Sequence, residues 1–402
     1  QETMKEYMEA LEDINSETVE YVRGIQVIKI FDMLVESFDK LYKSIITYSE
    51  VVNRQCQMFR RPYVLFQTVM LCLAAMIIPV AFKLLPDAQN TGEIVSLVVF
   101  FASFSGLLMG AFMKVMFFSK NFQFGEDAIN KLEGLFKEMD KNKLTHGDVS
   151  EMTSYDISFD KVTFCYEEGI NVLENLSIEF PAGRRYALVG SSGGGKSTIA
   201  KLISGFYPVS SGGIKIGGKD ISEYRSDVLE KNIAFVFQNA KLFKTSIYEN
   251  VLIGNPESSH EEVMKALELA MCGSILDKFE SRENTVIGAK GVHLSGGETQ
   301  RIAIARAILK NAPIIIFDEA SAASDPENEY EMQQAFTELM RGKTVIMIAH
   351  RLSSIRDVDE ILVIENGKVV ERGSHYELIS KESKYRKLQE LYSKANEWRL
   401  SQ

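Results

Sequence analysis

Two long uncharged stretches constrain the fold of this chain more than any other feature. Pro62–Phe82 carries no charged residue over 21 positions, and Ile94–Met113 carries none over 20. As helices rising about 1.5 Å per residue, each would be about 30 Å long, which is the thickness of the hydrocarbon layer of a bilayer. A pair of buried helices in a soluble core is the alternative, but apolar runs of this length favour membrane spans. The sequence therefore predicts a transmembrane hairpin.

Basic residues indicate how this hairpin is oriented. They flank both outer ends, with Arg54, Arg60 and Arg61 before the first stretch and Lys114 and Lys120 after the second. Because cytoplasmic flanks of membrane helices are enriched in Lys and Arg, both outer ends are predicted to face the cytoplasm. The connection 83–93 is predicted to lie on the opposite side.

Charge and cysteine content exclude several classes of protein. Lys and Arg number 45 against 55 Asp and Glu, giving a net charge of −10, so the chain lacks the basic surface that nucleic-acid binding requires. Cys56, Cys72, Cys165 and Cys272 lie far apart and without metal-type spacing. They are predicted to be buried free thiols of a protein in a reducing compartment.

The pattern along the chain divides it into two domains. Residues 1–140 are predicted to be an all-α membrane segment, with spans at about 62–85 and 93–117 and amphipathic helical extensions in the cytoplasm. Residues 141–154 are polar and lack periodicity, which is typical of a linker. From 155 to 402, short β-branched runs alternate with helical stretches, which predicts an α/β domain with a parallel sheet.

A glycine-rich loop is the strongest sign of chemistry. It follows the apolar strand YALV and precedes the helical segment TIAKLI, as a phosphate-binding P-loop does. Glycines let backbone N–H groups point toward phosphate oxygens, and Lys196 would neutralise the β- and γ-phosphates. The Ser197 hydroxyl would ligate Mg²⁺. The predicted phosphate-binding residues are Gly190, Ser191, Ser192, Gly193, Gly194, Gly195, Lys196, Ser197 and Thr198.

A second acidic motif complements this loop. The run IIIF predicts a buried strand, and two carboxylates, Asp318 and Glu319, follow at its carboxyl end, where α/β sheets bind ligands. Asp318 is predicted to hold Mg²⁺ through its water shell. Glu319 is predicted to orient and deprotonate the water that attacks the γ-phosphate.

A segment between these two motifs resembles the signature of the ATP-binding cassette (ABC) family. It reads LSGGE and is followed by TQRIAIARAIL. The resemblance implies that the serine and the glycine amides contact the γ-phosphate of an ATP bound by the opposite subunit. The residues of this segment are Leu294, Ser295, Gly296, Gly297 and Glu298.

Four further residues match the family in the order in which its motifs occur. The resemblance implies that Tyr166 stacks on adenine and that Gln238 is the Q-loop residue that contacts Mg²⁺. It also implies that Asp325 is the D-loop aspartate and that His350 is the switch histidine at the γ-phosphate. The implied ligands of Mg²⁺ are Ser197, Gln238 and Asp318.

The first part of the chain is also similar to this family. EYVRGIQVIKIF at 20–31 resembles the cytoplasmic loop before the last two membrane helices of exporter-type ABC transporters. The chain is therefore expected to lack the family's earlier spans, as an N-terminally truncated half-transporter would. Three features depart from the family: Glu298 replaces the usual glutamine, Val286 stands where exporters usually carry glutamate, and the D-loop region reads ASAASDPENE in place of the commoner ATSALD form.

These motifs predict a membrane-bound ATPase that functions as a dimer. The chain is expected to bind ATP and Mg²⁺ and to pair with a copy of itself or with a homologous half-transporter. It is expected to be a multi-pass protein of the cytoplasmic membrane, with its nucleotide-binding domain in the cytoplasm. It would couple ATP hydrolysis to the passage of a small solute through the lipid bilayer.

The direction of transport and the solute remain open in the sequence. The runs DEASAASDPENE and MIAHRL resemble a subgroup that imports iron–siderophores, as in the yersiniabactin and mycobactin systems. An exporter of lipid, peptide or drug is the alternative. Two other classes are a soluble ABC ATPase acting on DNA or ribosomes and a nucleotide-gated channel or membrane regulator. The hairpin disfavours the former, and Glu319 with His350 disfavours the latter.

Overall fold

The chain folds into two units in the computed structural model, Gln1–Glu133 and Gly134–Gln402. The structure describes residues 2–25, 39–76, 79–80, 83, 91–141, 143–167, 169–288, 291–318, 326–349 and 355–391. Three long helices make up the described part of the first unit. They are α1 (Glu2–Arg23), α2 (Asp39–Ala75) and α3 (Thr91–Lys141), the last of which continues into the second unit.

Helices α1 and α2 pack against each other through their amphipathic faces. The rings of Tyr7 and Tyr48 lie 5.9 Å apart, and Arg54 forms an ion pair with Glu6. Leu41 is 5% exposed, so the apolar side of this pair is covered. The predicted amphipathic helices are therefore present over the part of 1–60 that the structure describes.

The second predicted span lies within α3. By length and composition, one helix among the described residues could cross a membrane, at Val95–Val115, and no residue of this segment is buried. In a core helix of a soluble protein the apolar side chains are covered by other protein atoms, whereas here they are exposed. The first predicted span begins in α2 but includes residues outside the described ranges. The Phe66 and Phe112 rings contact at 5.4 Å, which brings the start of one span beside the end of the other, as a hairpin requires.

Two sheets form the centre of the second unit. One contains four antiparallel strands in the order β2-β1-β4-β5, and the other contains six strands in the order β10-β9-β3-β8-β7-β6. Their bounds are β1 Ile157–Cys165, β2 Asn171–Phe180, β3 Arg185–Val189, β4 Ser211–Ile216, β5 Lys219–Asp220, β6 Ile233–Val236, β7 Ile314–Asp318, β8 Thr344–Ile348, β9 Glu360–Glu365 and β10 Lys368–Gly373. The prediction of a parallel sheet is confirmed for β9-β3-β8-β7-β6, whereas the antiparallel sheet was not predicted.

Helices cover the sheets and form a separate layer beside them. They are α4 Lys196–Ile203, α5 Ser226–Asn232, α6 Ile247–Leu252, α7 His260–Leu269, α8 Gly273–Leu276, α9 Gly296–Lys310, α10 Pro326–Met340 and α11 His375–Ile379. A short additional helix spans 384–391. The core between the sheets contains Phe180, Leu188 and Ile346, none of which is exposed. A second core lies where α9 packs on α6, α7 and α10.

Residues 143–154, most of the predicted linker, pack on the α/β domain. Leu144 is 7% exposed and belongs to the core of that domain. The Gly147 and Val149 amides donate to the carbonyls of Tyr224 and Glu223, at 3.2 and 3.0 Å. This segment is therefore bound to the domain although its sequence lacks periodicity.

All four cysteines are free thiols, but they are not uniformly buried. Cys272 is buried, and burial raises the pKa of its thiol to about 12. Cys165 is partly exposed, while Cys56 and Cys72 on α2 are exposed. The prediction of buried thiols was therefore wrong for Cys56 and Cys72.

Candidate functional site

Parallel strand register gathers the predicted motifs at one edge of the six-stranded sheet. Ile348 is paired with both Leu188 of β3 and Asp318 of β7, and Phe317 is paired with Val236 of β6. The loops that leave the carboxyl ends of these strands therefore begin side by side. Ligands of α/β sheets bind at such an edge. The glycine-rich loop leaves β3 here, and Asp318 ends β7.

The backbone of the glycine-rich loop permits only glycine at critical positions. Gly190 has φ +140°, and a Cβ there would lie 2.0 Å from the Ile364 carbonyl oxygen. Gly195 adopts φ +100° and is the residue that precedes α4. The Gly367 amide donates to the Gly194 carbonyl at 3.0 Å, which holds the loop against the β9–β10 turn. Backbone contacts within the domain thus define the shape of the loop.

Lys196 lies beneath this loop and is only 4% exposed. Its ammonium donates to the carbonyls of Gly190 and Ser191, at 3.0 and 2.7 Å. A buried ammonium is stable only when it is hydrogen-bonded, so these carbonyls compensate its loss of water. The lysine therefore places a positive charge inside the concave loop, where the β- and γ-phosphates of a nucleotide would lie.

Ser197 and Asp318, two of the predicted Mg²⁺ ligands, lie next to each other. The Ser197 hydroxyl donates to the Asp318 carboxylate at 3.2 Å, so two oxygen donors from different elements converge beside the loop. Mg²⁺ prefers oxygen ligands and binds through few protein groups plus phosphates and water. The residues present fit this cation. Gln238, two residues beyond β6, is exposed at the same edge of the sheet.

A pocket of about 310 Å³ runs from the glycine-rich loop to Tyr166. The Tyr166 ring is 47% exposed and meets the rings of Phe164 and Tyr207 edge to face, at 4.9 and 5.3 Å. Its hydroxyl lies 3.3 Å from the Thr198 hydroxyl. The ring is therefore fixed in orientation while keeping an accessible face. An aromatic face in this position is suited to stack on a nucleobase.

Replacing Tyr166 with alanine is expected to weaken ATP binding by about 5- to 150-fold, because stacking on an aromatic ring contributes about 1–3 kcal/mol per base. Titration with a fluorescent ATP analogue would measure the change. Tyr166→Phe keeps the ring and loses only the hydroxyl, so its affinity should stay within about twofold of that of the wild type. Equal affinities of the alanine variant and the wild type would contradict the stacking role.

The signature segment caps helix α9, which has the same length as α10, 15 residues. Ser295 precedes α9, where its hydroxyl accepts from the Glu298 amide at 3.2 Å and its own amide donates to the Glu298 carboxylate at 2.7 Å. This reciprocal pair is a capping box, which glutamate or glutamine can complete. A Cβ on Gly296 would meet no atom within 4 Å, so the first turn of α9 has an open face.

Three of the predicted functional residues lie outside the described residues. They are Glu319, Asp325 and His350. Their predicted roles at the γ-phosphate and in the D-loop therefore remain predictions. The strands that precede Glu319 and His350 are described, and both end at the edge of the sheet that holds the P-loop.

Sequence reasoning missed several residues that shape the site. Phe164 and Tyr207 orient Tyr166, and Lys201 lies 5.9 Å over the Tyr166 ring. Lys278 forms an ion pair with Glu298 of the signature. The aromatic pattern around Tyr166 is visible in the sequence, but no spacing rule connects Lys278 to a helix that begins far downstream.

The strand, glycine-rich loop, buried lysine and Ser197–Asp318 pair define a P-loop nucleotide-binding domain. Residues 173–322 match the family model described as ABC transporter. The second unit thus resembles the ABC transporters over these residues, and the chain has the fold of an ABC exporter. Its α/β domain is therefore an ATP-binding domain.

Curated relatives include ATP-dependent lipid A-core flippases. The chain is 44% identical over 272 residues to that of Aliivibrio fischeri, covering 67% of this chain and 47% of the relative. It is 38% identical over 326 residues to that of Salmonella paratyphi A, covering 80% and 55%. The chain thus spans about half the length of these relatives.

A solved structure of a bacterial Atm1-family ABC exporter with ATP bound is similar over 97% of this chain and 70% of that one. The TM-score is 0.73 at 26% sequence identity. These neighbours do not support the predicted siderophore-importer subgroup. They favour the exporter alternative instead.

Proposed function

We propose that the chain is the ATP-hydrolysing, membrane-spanning part of an ABC exporter that moves an amphipathic lipid across the cytoplasmic membrane. The observation that carries the proposal is the P-loop pocket, in which Lys196 is buried under the loop and Ser197 contacts Asp318. The names of the flippase relatives support a lipid as the solute. Peptides, drugs and iron–siderophores are the competing solutes.

ATP would bind between Tyr166 and the P-loop. The ring would stack on adenine, the loop amides would bind phosphate oxygens, and Lys196 would neutralise the β- and γ-phosphates. Ser197, Asp318 and Gln238 would hold Mg²⁺, which supplies charge neutralisation on the phosphates. Glu319 would orient the attacking water and accept its proton, and His350 would contact the γ-phosphate.

The proposed active form is a dimer, with a copy of this chain or with a homologous half. The pocket at the P-loop is lined by Tyr166, Val172 and residues 192–198. The signature residue Ser295 does not line this pocket. The signature of one domain would instead complete the ATP site of its partner. Two bound ATP molecules would favour the closed dimer by binding it more tightly than the open one, and hydrolysis would remove that bias.

The nucleotide-binding domain is proposed to lie in the cytoplasm, since basic residues flank the outer ends of both apolar stretches. A lipid substrate suits the membrane unit, because α3 exposes large apolar side chains along its span. These include Leu97, Phe100, Leu107 and Phe112. Such a surface is compatible with contact to acyl chains.

Lipid movement is tested by reconstituting the full-length protein in liposomes whose inner or outer leaflet carries a fluorescent lipid-A-type glycolipid. ATP is expected to change the fraction of label that a membrane-impermeant quencher reaches, and Glu319→Gln should abolish the change. A labelled peptide and an iron–siderophore serve as competing solutes in parallel vesicles. ATP-driven movement of either one, with the lipid stationary, would contradict the proposed substrate.

A further inference from the structure

Glu298 brings a negative charge to the signature helix. It occupies the first turn of α9, where one carboxylate oxygen accepts from the Ser295 amide at 2.7 Å. Glu298 is only 7% exposed, so water screens its charge poorly. A glutamine would complete the same capping box without a charge. Glutamates also complete the capping boxes of α6, α7 and α11, so the carboxylate suits the cap, but it brings a charge that glutamine would not.

This charge opposes the proposed role of the helix. The positive end of a helix dipole and the free amides of its first turn attract anions such as phosphates. An ionised carboxylate in the same turn cancels part of that attraction and repels the γ-phosphate of a second ATP. On the proposed function, Glu298 would weaken the ATP contact that the signature provides to its partner.

Lys278 supplies the opposite charge. It lies beyond α8, in a segment remote from α9 in sequence, and its ammonium donates to the Glu298 carboxylate oxygen that does not bind Ser295. The Lys278 side chain is 57% exposed, whereas that of Glu298 is 9% exposed. Burial raises the pKa of Glu298, but the hydrogen bonds from Lys278 and Ser295 outweigh this effect and hold the pKa below its usual range. Glu298 therefore remains ionised and paired.

We propose that Lys278 is a positioning residue for ATP hydrolysis: through its ion pair with Glu298, it keeps the signature helix electropositive toward the γ-phosphate bound by the partner subunit. This inference rests on the proposed function. Lys278 acts through Glu298 and is not proposed to touch the nucleotide. The pair replaces the neutral amide that the family resemblance implies at this position.

The double-mutant design separates this role from simple stabilisation. Lys278→Met leaves Glu298 buried and uncompensated, so the ATP concentration for half-maximal hydrolysis is expected to rise by about 3- to 10-fold. Glu298→Gln keeps the cap and removes the charge that Lys278 neutralises, so it provides the background in which residue 278 should no longer matter. The double variant Lys278→Met/Glu298→Gln should therefore need the same ATP concentration as Glu298→Gln alone.

Two controls accompany these variants. Lys265→Met removes the same charge from an exposed position on α7 and should have no effect on the ATP requirement. Lys278→Arg keeps the charge and should hydrolyse ATP as the wild type does. Binding of a fluorescent ATP analogue to the chain's own P-loop, measured below the concentration at which dimers form, should be equal in all variants. Thermal unfolding of each variant reports any loss of folded protein.

Several outcomes would overturn the inference. If the Lys278→Met protein is active and its ATP requirement is unchanged, the inference is overturned while the proposed function stands. The inference would also be overturned if Lys278→Met raised the ATP requirement in the Glu298→Gln background as much as it does in the wild type. That pattern would indicate a structural defect. A wild-type protein that hydrolyses no ATP would instead overturn the proposed function, and the inference with it.

Discussion

Replacing Glu319 with glutamine is expected to slow ATP turnover by about 10²- to 10⁴-fold while leaving ATP binding intact, because general-base catalysis contributes about this much. Glutamine has nearly the same size but cannot accept the proton of the attacking water. Asp318, the residue before it, ends a strand whose other residues are buried and contacts Ser197 of the P-loop. Asp318 thus lies at the edge of the sheet that holds the P-loop, and Glu319 is the next residue in the sequence.

Steady-state phosphate release and equilibrium binding of ATP together test the role of Glu319. Glu261→Gln makes the same chemical change on an exposed face of α7 and should preserve turnover. In the Glu319→Gln protein, the ATP-bound dimer should accumulate, because the closed state loses its route to hydrolysis. Unchanged phosphate release would assign the general base to another residue.

The arrangement around the glycine-rich loop was largely predictable because its parts are local in sequence. Four apolar residues before Asp318 predict a buried strand, and all four are at most 3% exposed in the structure. The glycine-rich loop likewise stands between a predicted strand and a predicted helix. Because β3 and β7 both pair in parallel with β8, the glycine-rich loop and Asp318 lie at the same edge of the sheet. The contact between Ser197 and Asp318 follows from that register.

Contacts between distant segments were not predictable from such patterns. The close approach of Gly190 to the Ile364 carbonyl depends on how the β9–β10 hairpin packs against the loop. The ion pair of Lys278 with Glu298 joins two segments whose spacing follows no helical or strand period. Leu144 lies in a polar stretch, yet it is buried in the domain core. Tertiary packing alone determines each of these contacts.

Solute and direction of transport also lie beyond local motifs. The similarity to siderophore importers came from residues within Asp318–Leu352, several of which are predicted to act on ATP and not on the solute. ATP-binding residues face the same chemistry in every transporter of this kind, so they carry little information on what is moved. The relatives that favour an exporter match over a longer part of the chain, which includes the helical unit.

Replacing Lys196 with alanine is expected to weaken ATP binding itself, by about 100-fold or more. Lys196 is 4% exposed and its ammonium is hydrogen-bonded to two loop carbonyls, so protein contacts position it at the loop. Hydrogen bonds to charged groups contribute about 1.5–3 kcal/mol each, and the lysine is expected to contact two phosphates. Its loss would also leave the carbonyls of Gly190 and Ser191 without this donor.

Titration of the full-length protein with a fluorescent ATP analogue measures this effect, and Lys215→Ala is the matched control. Lys215 is exposed on β4, so its loss removes the same charge without touching the loop. Because Lys196 binds phosphate and Glu319 acts on water, the alanine variant should lose both affinity and turnover, whereas Glu319→Gln should lose turnover alone. If Lys196→Ala retained the affinity of the Lys215→Ala protein, the buried ammonium would serve only to shape the loop, and phosphate binding would depend on the backbone amides.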